Sequence, residues 1–491
     1  MIKKQDKEKV IKILTSEEFN HMNAFNIIPN LSDKVLDYNE RNFNFIDIIM
    51  KSLEEKRKYD SSLKVPLFVM AGMQARMKQQ FSISELALAL TSEECINKLN
   101  INIEYEKSES LLKESNIRAF LNRYEQADDS KEIEFNNEFI KSFNKIIELY
   151  LAKANIESNV HILDCSVLDV NLDNANYEGS SITYKGGKKL RGYKIGALRG
   201  VTSNGGVIEE ICMSTAKKHD LDMSKEMILN TKYLKEGDYL LEDRGFLDIL
   251  TFRKLVEKKI NTIIPLKKNM EIYKAAKDEA VSKNEWQKHP NAKRKGQDIA
   301  FVENLESFWL SDNDKTKKID KISLGYKINA CVIRFDKKLN KKILTDAELI
   351  DEDEIYAYAV IITNDVNIEA KEIIRLYEMR SEIEEDFRQL KDFWGLNTYK
   401  STKYIVISFI IMLSLLSYNL YQVYKESEEG KNYIGKNFIV EERKGLYIVK
   451  GVRTAIIVDD YFACFYQDEL LDLYVDLSKK MREQLKQLLT L

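Results

Sequence analysis

Residues 377–391 read YEMRSEIEEDFRQLK, and their spacing predicts a helix with one chemically distinctive side. At about 100° per residue, Tyr377, Arg380, Glu384 and Lys391 fall at roughly 0°, 300°, 340° and 320°, a stripe about 60° wide, and Arg388 joins it at roughly 20°. The neighbouring acids Glu378, Glu382, Glu385 and Asp386 project elsewhere. Leu376, Ile383, Phe387, Leu390 and Trp394 cluster at roughly 220° to 280°, so the polar stripe borders the buried face. A carboxylate on that border, flanked by cations and a phenol, suits a metal ion facing a phosphate. Taken alone, the segment fits a solvated helix laced with ordinary ion pairs equally well.

Two carboxylates elsewhere tip the balance. Residues 160–170, VHILDCSVLDV, read as a strand holding Asp164, and residues 237–243, GDYLLED, read as a strand that ends on Asp243. An acid buried alone in a strand is costly, so it is expected to be paired, hydrogen-bonded or bound to a cation. Asp243 precedes the helical segment FLDILTFRKLVEKK and the strand NTIIPLKKN. A strand, a helix and a strand in that order predict a parallel crossover, and open α/β sheets place their chemistry at the carboxyl ends of such strands. Asp164, Asp243 and Glu384 together would make an oxygen-only site. Such a site favours Mg²⁺, with Mn²⁺ as substitute, over zinc. The four histidines, His21, His161, His219 and His289, show no ligand spacing, and His161 reads as a packed or surface residue. Two ions on three carboxylates suit in-line displacement at phosphorus.

With these residues in view the chain resembles the DDE transposases of the bacterial insertion-sequence-four family. Tyr377-x2-Arg380-x3-Glu384-x6-Lys391 is similar to that family's Y-(2)-R-(3)-E-(6)-K signature. LDCS around Asp164 resembles its first aspartate motif, GYK at 192–194 its second strand, and DRGF at 243–246 its second aspartate motif. The resemblance runs from about residue 160 to 421. It implies that Asp164, Asp243 and Glu384 ligate two Mg²⁺ ions, and that Tyr377, Arg380 and Lys391 grip phosphates, with Arg388, Lys267 and Arg244 assisting. Asp169 and Asp173 lie close enough to Asp164 to compete for the first position, and Asp164 is preferred because it lies inside the strand. The family holds a flipped base on an aromatic of its insertion, which makes Trp286 and Trp309 the candidates.

The expected fold is therefore α/β, a ribonuclease-H-like mixed sheet with a β-rich insertion and flanking helical domains. Residues 1–158 form a helical amino-terminal domain suited to DNA-end binding or to a structural bundle. Residues 159–269 and 366–426 form the core, 270–365 the insertion, and 427–491 a mostly helical carboxyl-terminal region. Within the core, residues 160–170, 192–200 and 206–215 predict a meander of three strands.

The global properties agree with this. At 491 residues and a net charge of −3, with a pI near 6.1, the chain carries its positive charge in local runs: TYKGGKKLRGYK at 183–194 and KHPNAKRKG at 288–296. These read either as phosphate contacts or as exposed loops. Five scattered cysteines argue against a disulfide framework and for a reducing compartment, and the first residues lack a secretory signal. The expectation is a cytoplasmic, nucleoid-associated protein. IVISFIIMLSLLSYNLY at 405–421 approaches membrane-span length, but its Ser408, Ser414, Ser417 and Asn419 point to a helix buried in a large core. The function expected is cut-and-paste transposition by a homodimer on double-stranded DNA, joining terminal inverted repeats to target DNA. The alternatives are a metal-dependent nuclease or resolvase of similar fold, and a transposase-derived DNA-binding protein without catalysis.

Overall fold

The computed structural model describes residues 4–16, 25–28, 31–56, 63–77, 82–88, 98–99, 113–125, 133–202, 205–305, 327–342, 344, 353, 355–392, 394–431, 454–458, 461–465, 473, 475–477 and 482. They divide into two units. The first comprises residues 1–156, 168–192 and 387–491, the second residues 157–167 and 193–386.

The second unit is built on a mixed sheet. Its strands run Lys188–Thr202, Val160–Val170, Tyr239–Leu241, Asn261–Pro265, Tyr356–Thr363, Ile328–Asp336, Gln297–Leu305 and Gln287–Lys288, and Gly205–Thr215 also pairs with Lys188–Thr202. The three central strands from Val160–Val170 to Asn261–Pro265 are parallel. Strands buried on both faces read as near-continuous apolar runs, which is why LLEDR and NTIIP show no alternation. The expected crossover is present: helix Ile249–Glu257 joins Tyr239–Leu241 to Asn261–Pro265, its first turn capped by Asp248, whose carboxylate accepts from the Thr251 amide at 2.9 Å. Strand Tyr356–Thr363 pairs antiparallel with Asn261–Pro265, with Ile362 opposite Ile264. The described strands of residues 270–365 therefore continue the same sheet, with helix Glu271–Lys283 packed against them.

Two local readings need correction. The segment predicted as one helix over 377–391 is two, Ala370–Met379 and Ser381–Asp392. The Ser381 hydroxyl donates to the Glu378 carbonyl at 3.0 Å, and the Arg380 amide donates to the Tyr377 carbonyl. These tight bonds of three-residue span interrupt the α-helical ladder at Arg380. Asp243 does not end its strand but lies two residues past it, in the turn before helix Ile249–Glu257.

The first unit is helical around Tyr404–Glu426, whose residues are buried from Tyr404 to Tyr424. This helix is long and apolar enough to cross a bilayer, yet all of its apolar stretch is buried inside the protein. Its neighbours are the helices Leu31–Phe43, Val65–Met77 and Glu138–Ala154. Their polar groups meet it inside the core: Asn137 donates to the Ser408 hydroxyl at 2.7 Å, and Ser417 donates to the Met73 carbonyl at 3.3 Å. Gly72 lets Val65–Met77 approach closely, since a Cβ there would lie 2.5 Å from a Leu413 methyl. A four-stranded sheet that the sequence did not announce joins the chain ends, in the order Lys4–Gln5, Tyr461–Phe465, Thr454–Val458, Phe25–Ile28. Most of the mostly helical region expected over 427–491 lies outside the described residues.

Candidate active site

Both aspartates follow the last rung of one parallel strand pair. In the parallel pair Val160–Val170 and Tyr239–Leu241, Ile162 lies opposite Leu241. Asp164 lies two residues beyond that pair inside its strand, and Asp243 two residues beyond it in the turn where the shorter strand has ended. Each carboxylate is fixed by the amide that follows it. Asp164 accepts from Cys165 N–H at 2.7 Å, and Asp243 accepts from Arg244 N–H at 2.8 Å.

Burial pushes the Asp164 carboxyl up to about 6. The Cys165 amide and Arg380 pull it down, while Glu384 and Asp243 push it up further, so the three acids share one electrostatic neighbourhood. Glu384 stands on helix Ser381–Asp392 with its side chain 55% exposed and accepts from Arg380 Nη2 at 2.7 Å. Arg380, at the junction of the two helices, is the better buried partner and lies 5.9 Å from the centre of the Tyr377 ring. Burial raises the Tyr377 phenol; Asp243 raises it too, and Arg380 and Arg244 lower it. Six of the expected residues thus act on one another: Asp164, Asp243, Arg244, Tyr377, Arg380 and Glu384.

Lys267 follows strand Asn261–Pro265 by two residues and leaves the sheet at the same carboxyl end as Asp243. It is exposed. Arg388 faces Asp392 at 3.4 Å on the helix surface, and Lys391 follows one turn on. Trp286 has one face taken by the Arg334 guanidinium, 4.4 Å from the ring centre; Trp309 lies outside the described residues. Lys194 of the GYK motif is tied to Asp220 at 2.6 Å, at the start of helix Asp220–Asn230.

The acids dismissed as pointing elsewhere turn out to anchor the helices. Arg199, 2% exposed on strand Lys188–Thr202, bonds Asp386 through Nε and Glu382 through Nη2 at 3.0 Å. Glu382 and Asp386 flank Glu384 in sequence, so one buried guanidinium holds the helix that presents it. Glu378 ties the basic stretch 288–296 beside Tyr377, accepting from Asn291 at 3.2 Å and from Arg294 at 3.2 Å. Glu242, next to Asp243 and 3% exposed, is pushed up to about 8 by burial, which keeps it uncharged at neutral pH. The sequence did carry a signal for Arg199, a lone charge inside an apolar strand, which must find a partner. Its partners lie more than 180 residues away, and nothing local names them.

A divalent cation suits this donor set. Three carboxylates within one field repel one another: Asp164, raised chiefly by burial, is raised further by Glu384 and Asp243. Among the described residues no group of three or more His, Cys, Asp or Glu side chains closes into a ready-made metal cluster. The acids share a field, and Glu384 turns to Arg380. That exposed i, i+4 pair contributes only about 0.3–0.5 kcal/mol, so it yields readily to a stronger ligand.

A comparison with curated proteins found none that matches. A family model described as the transposase DDE domain matches residues 129–420, a span that includes the two aspartates, the Tyr377-to-Lys391 stripe and nearly all of the buried apolar helix. The chain belongs to the transposase DDE-domain family.

Proposed function

We propose that this protein is a cut-and-paste DNA transposase of the insertion-sequence-four type, with a ribonuclease-H-like core, acting as a homodimer on the inverted repeats of its own element in the cytoplasm. Family membership gives a transposase-type polynucleotidyl transferase with DNA as substrate. The observation that carries the finer reading is the field that Asp164 shares with Asp243 and Glu384, both aspartates following the last rung of one parallel pair.

In this reading Asp164, Asp243 and Glu384 hold two Mg²⁺ ions, for which Mn²⁺ substitutes. Such ions neutralise charge at phosphorus and lower the pKa of the attacking hydroxyl. The chain's own residues do the positioning. Arg380 exchanges its weak bond to Glu384 for a charge-assisted bond to a phosphate oxygen, which is about twice as strong as a neutral one. Tyr377, kept protonated by burial, donates from the same side. Lys391, Arg388, Lys267 and Arg244 supply further positive charge along the strand. Cleavage transfers a water oxygen to phosphorus and releases a 3′-hydroxyl. Joining uses that hydroxyl on a target phosphate, breaking one phosphodiester for each one formed.

The test is to incubate the protein with duplexes carrying its element's ends, a target plasmid and Mg²⁺, and to sequence the products. Ends joined to target through their 3′-oxygens, flanked by short duplications of target sequence, are expected. Nicks without joined target would replace the proposal with a structure-selective nuclease. Binding without cleavage in Mg²⁺ or Mn²⁺ would mark a lapsed enzyme.

A further inference from the structure

We propose that the hairpin of Ser181–Lys185 and the first residues of Lys188–Thr202 is a second DNA-binding element, a wing that grips a duplex through Lys185, Lys188, Lys189 and Tyr184. The proposal rests on the transposase reading and adds to it a surface outside the acidic centre.

The ribbon is firmly made. Gly186 and Gly187 adopt φ +55° and +76°, the two positive angles of the turn that matches the twist of paired strands. Register sets Lys185 opposite Lys188 and Tyr184 opposite Lys189. The base is anchored: Arg191 Nε donates to the Leu172 carbonyl at 3.0 Å, and Gly192 lies so close to Leu168 that a Cβ would sit 2.1 Å from its carbonyl oxygen. The tip stands clear, with no atom within 4 Å of a Cβ built on Gly186 or Gly187.

Its chemistry calls for an anion. Lys185 and Lys188 face each other across the strands, and like charges so placed are destabilising. No acid among the described residues pairs with Lys185, Lys188 or Lys189. Charge on an edge strand also wards off pairing with other strands, but that purpose has no use for an aromatic ring. Tyr184 nevertheless stands 71% exposed beside Lys189. Lys189 with the exposed ring on one face of a two-stranded ribbon, and Lys185 with Lys188 on the other, suit a duplex, whose major groove of about 12 Å admits such a ribbon and whose backbone supplies evenly spaced phosphates.

The test uses the full chain and fluorescently labelled duplexes, one with the element's end and one of unrelated sequence, titrated across a salt series. The triple variant Lys185→Ala, Lys188→Ala, Lys189→Ala is expected to bind both duplexes at least about tenfold more weakly, with log K against log salt shallower by roughly 2 to 3. The corresponding triple Arg variant should restore both affinity and slope, and the Ala variant should melt no lower than the parent. Unchanged affinity and salt slope in the Ala variant would overturn the proposal. So would loss of self-association in sedimentation with DNA binding intact, since the wing would then contact a second copy. If the parent chain binds neither duplex, the transposase reading fails first and takes the wing with it.

Discussion

His161 lies 1% exposed in the strand that carries Asp164, with Nδ1 2.7 Å from Glu209 and Nε2 3.5 Å from Asp238. Burial alone would strip its proton; Glu209 and Asp238 outweigh burial and hold the imidazole above its usual pKa. Burial raises the Glu209 carboxyl, and His161 and Arg199 draw it partly back. Both groups thus keep protons that the unfolded chain releases. Their contribution to stability is complete below the unfolded values of 4.5 and 6.5 and is lost as pH climbs through the raised folded values. The unfolding free energy should therefore fall as pH rises above 6.5, by at most about 1.4 kcal/mol per pH unit for each proton, and the melting temperature should fall with it. The double variant His161→Asn, Glu209→Gln should flatten that decline, and a decline as steep as the parent's would contradict the assignment. The sequence pointed away from a ligand at His161, because no second ligand stood at a useful spacing, but left packed and surface positions open. It could not name Glu209, whose closeness depends on the order of strands.

Helix Ser381–Asp392 was legible in part. Its polar stripe and its buried flank, including Ile383 and Leu390, follow from angular spacing alone. The break at Arg380 was not legible, because it depends on where the Ser381 hydroxyl turns, and serine serves equally in helix interiors and at ends. Nor was the clamp by Arg199. That clamp makes a strong prediction: Asp386 is 6% exposed, so Arg199→Leu leaves a buried carboxylate uncompensated and should cost about 3–5 kcal/mol in urea unfolding. Adding Asp386→Leu should recover much of the loss, since a buried pair replaced on both sides is often neutral. If Arg199→Leu unfolds at the parent's urea midpoint, the clamp does not hold the helix.

The sheet order explains which parts of the fold the chain announces. The crossover through Ile249–Glu257 was readable because strand, helix and strand follow one another within 30 residues and parallel pairing needs such a link. The pairing of Tyr356–Thr363 with Asn261–Pro265, and of Phe25–Ile28 with Thr454–Val458, was not readable, since each joins segments some 90 to 430 residues apart whose patterns suit many partners. The aspartates were recognisable as odd acids in apolar runs; that they act on each other depends on the pairing of strands distant in sequence. The account stands on that convergence, and strand cleavage tests it most directly. With end-bearing duplexes and Mg²⁺, Asp164→Ala, Asp243→Ala and Glu384→Ala should each bind DNA as the parent does and cleave at least about a thousandfold more slowly, consistent with loss of a metal-assisted step. Normal cleavage by any one of the three would contradict a shared metal site.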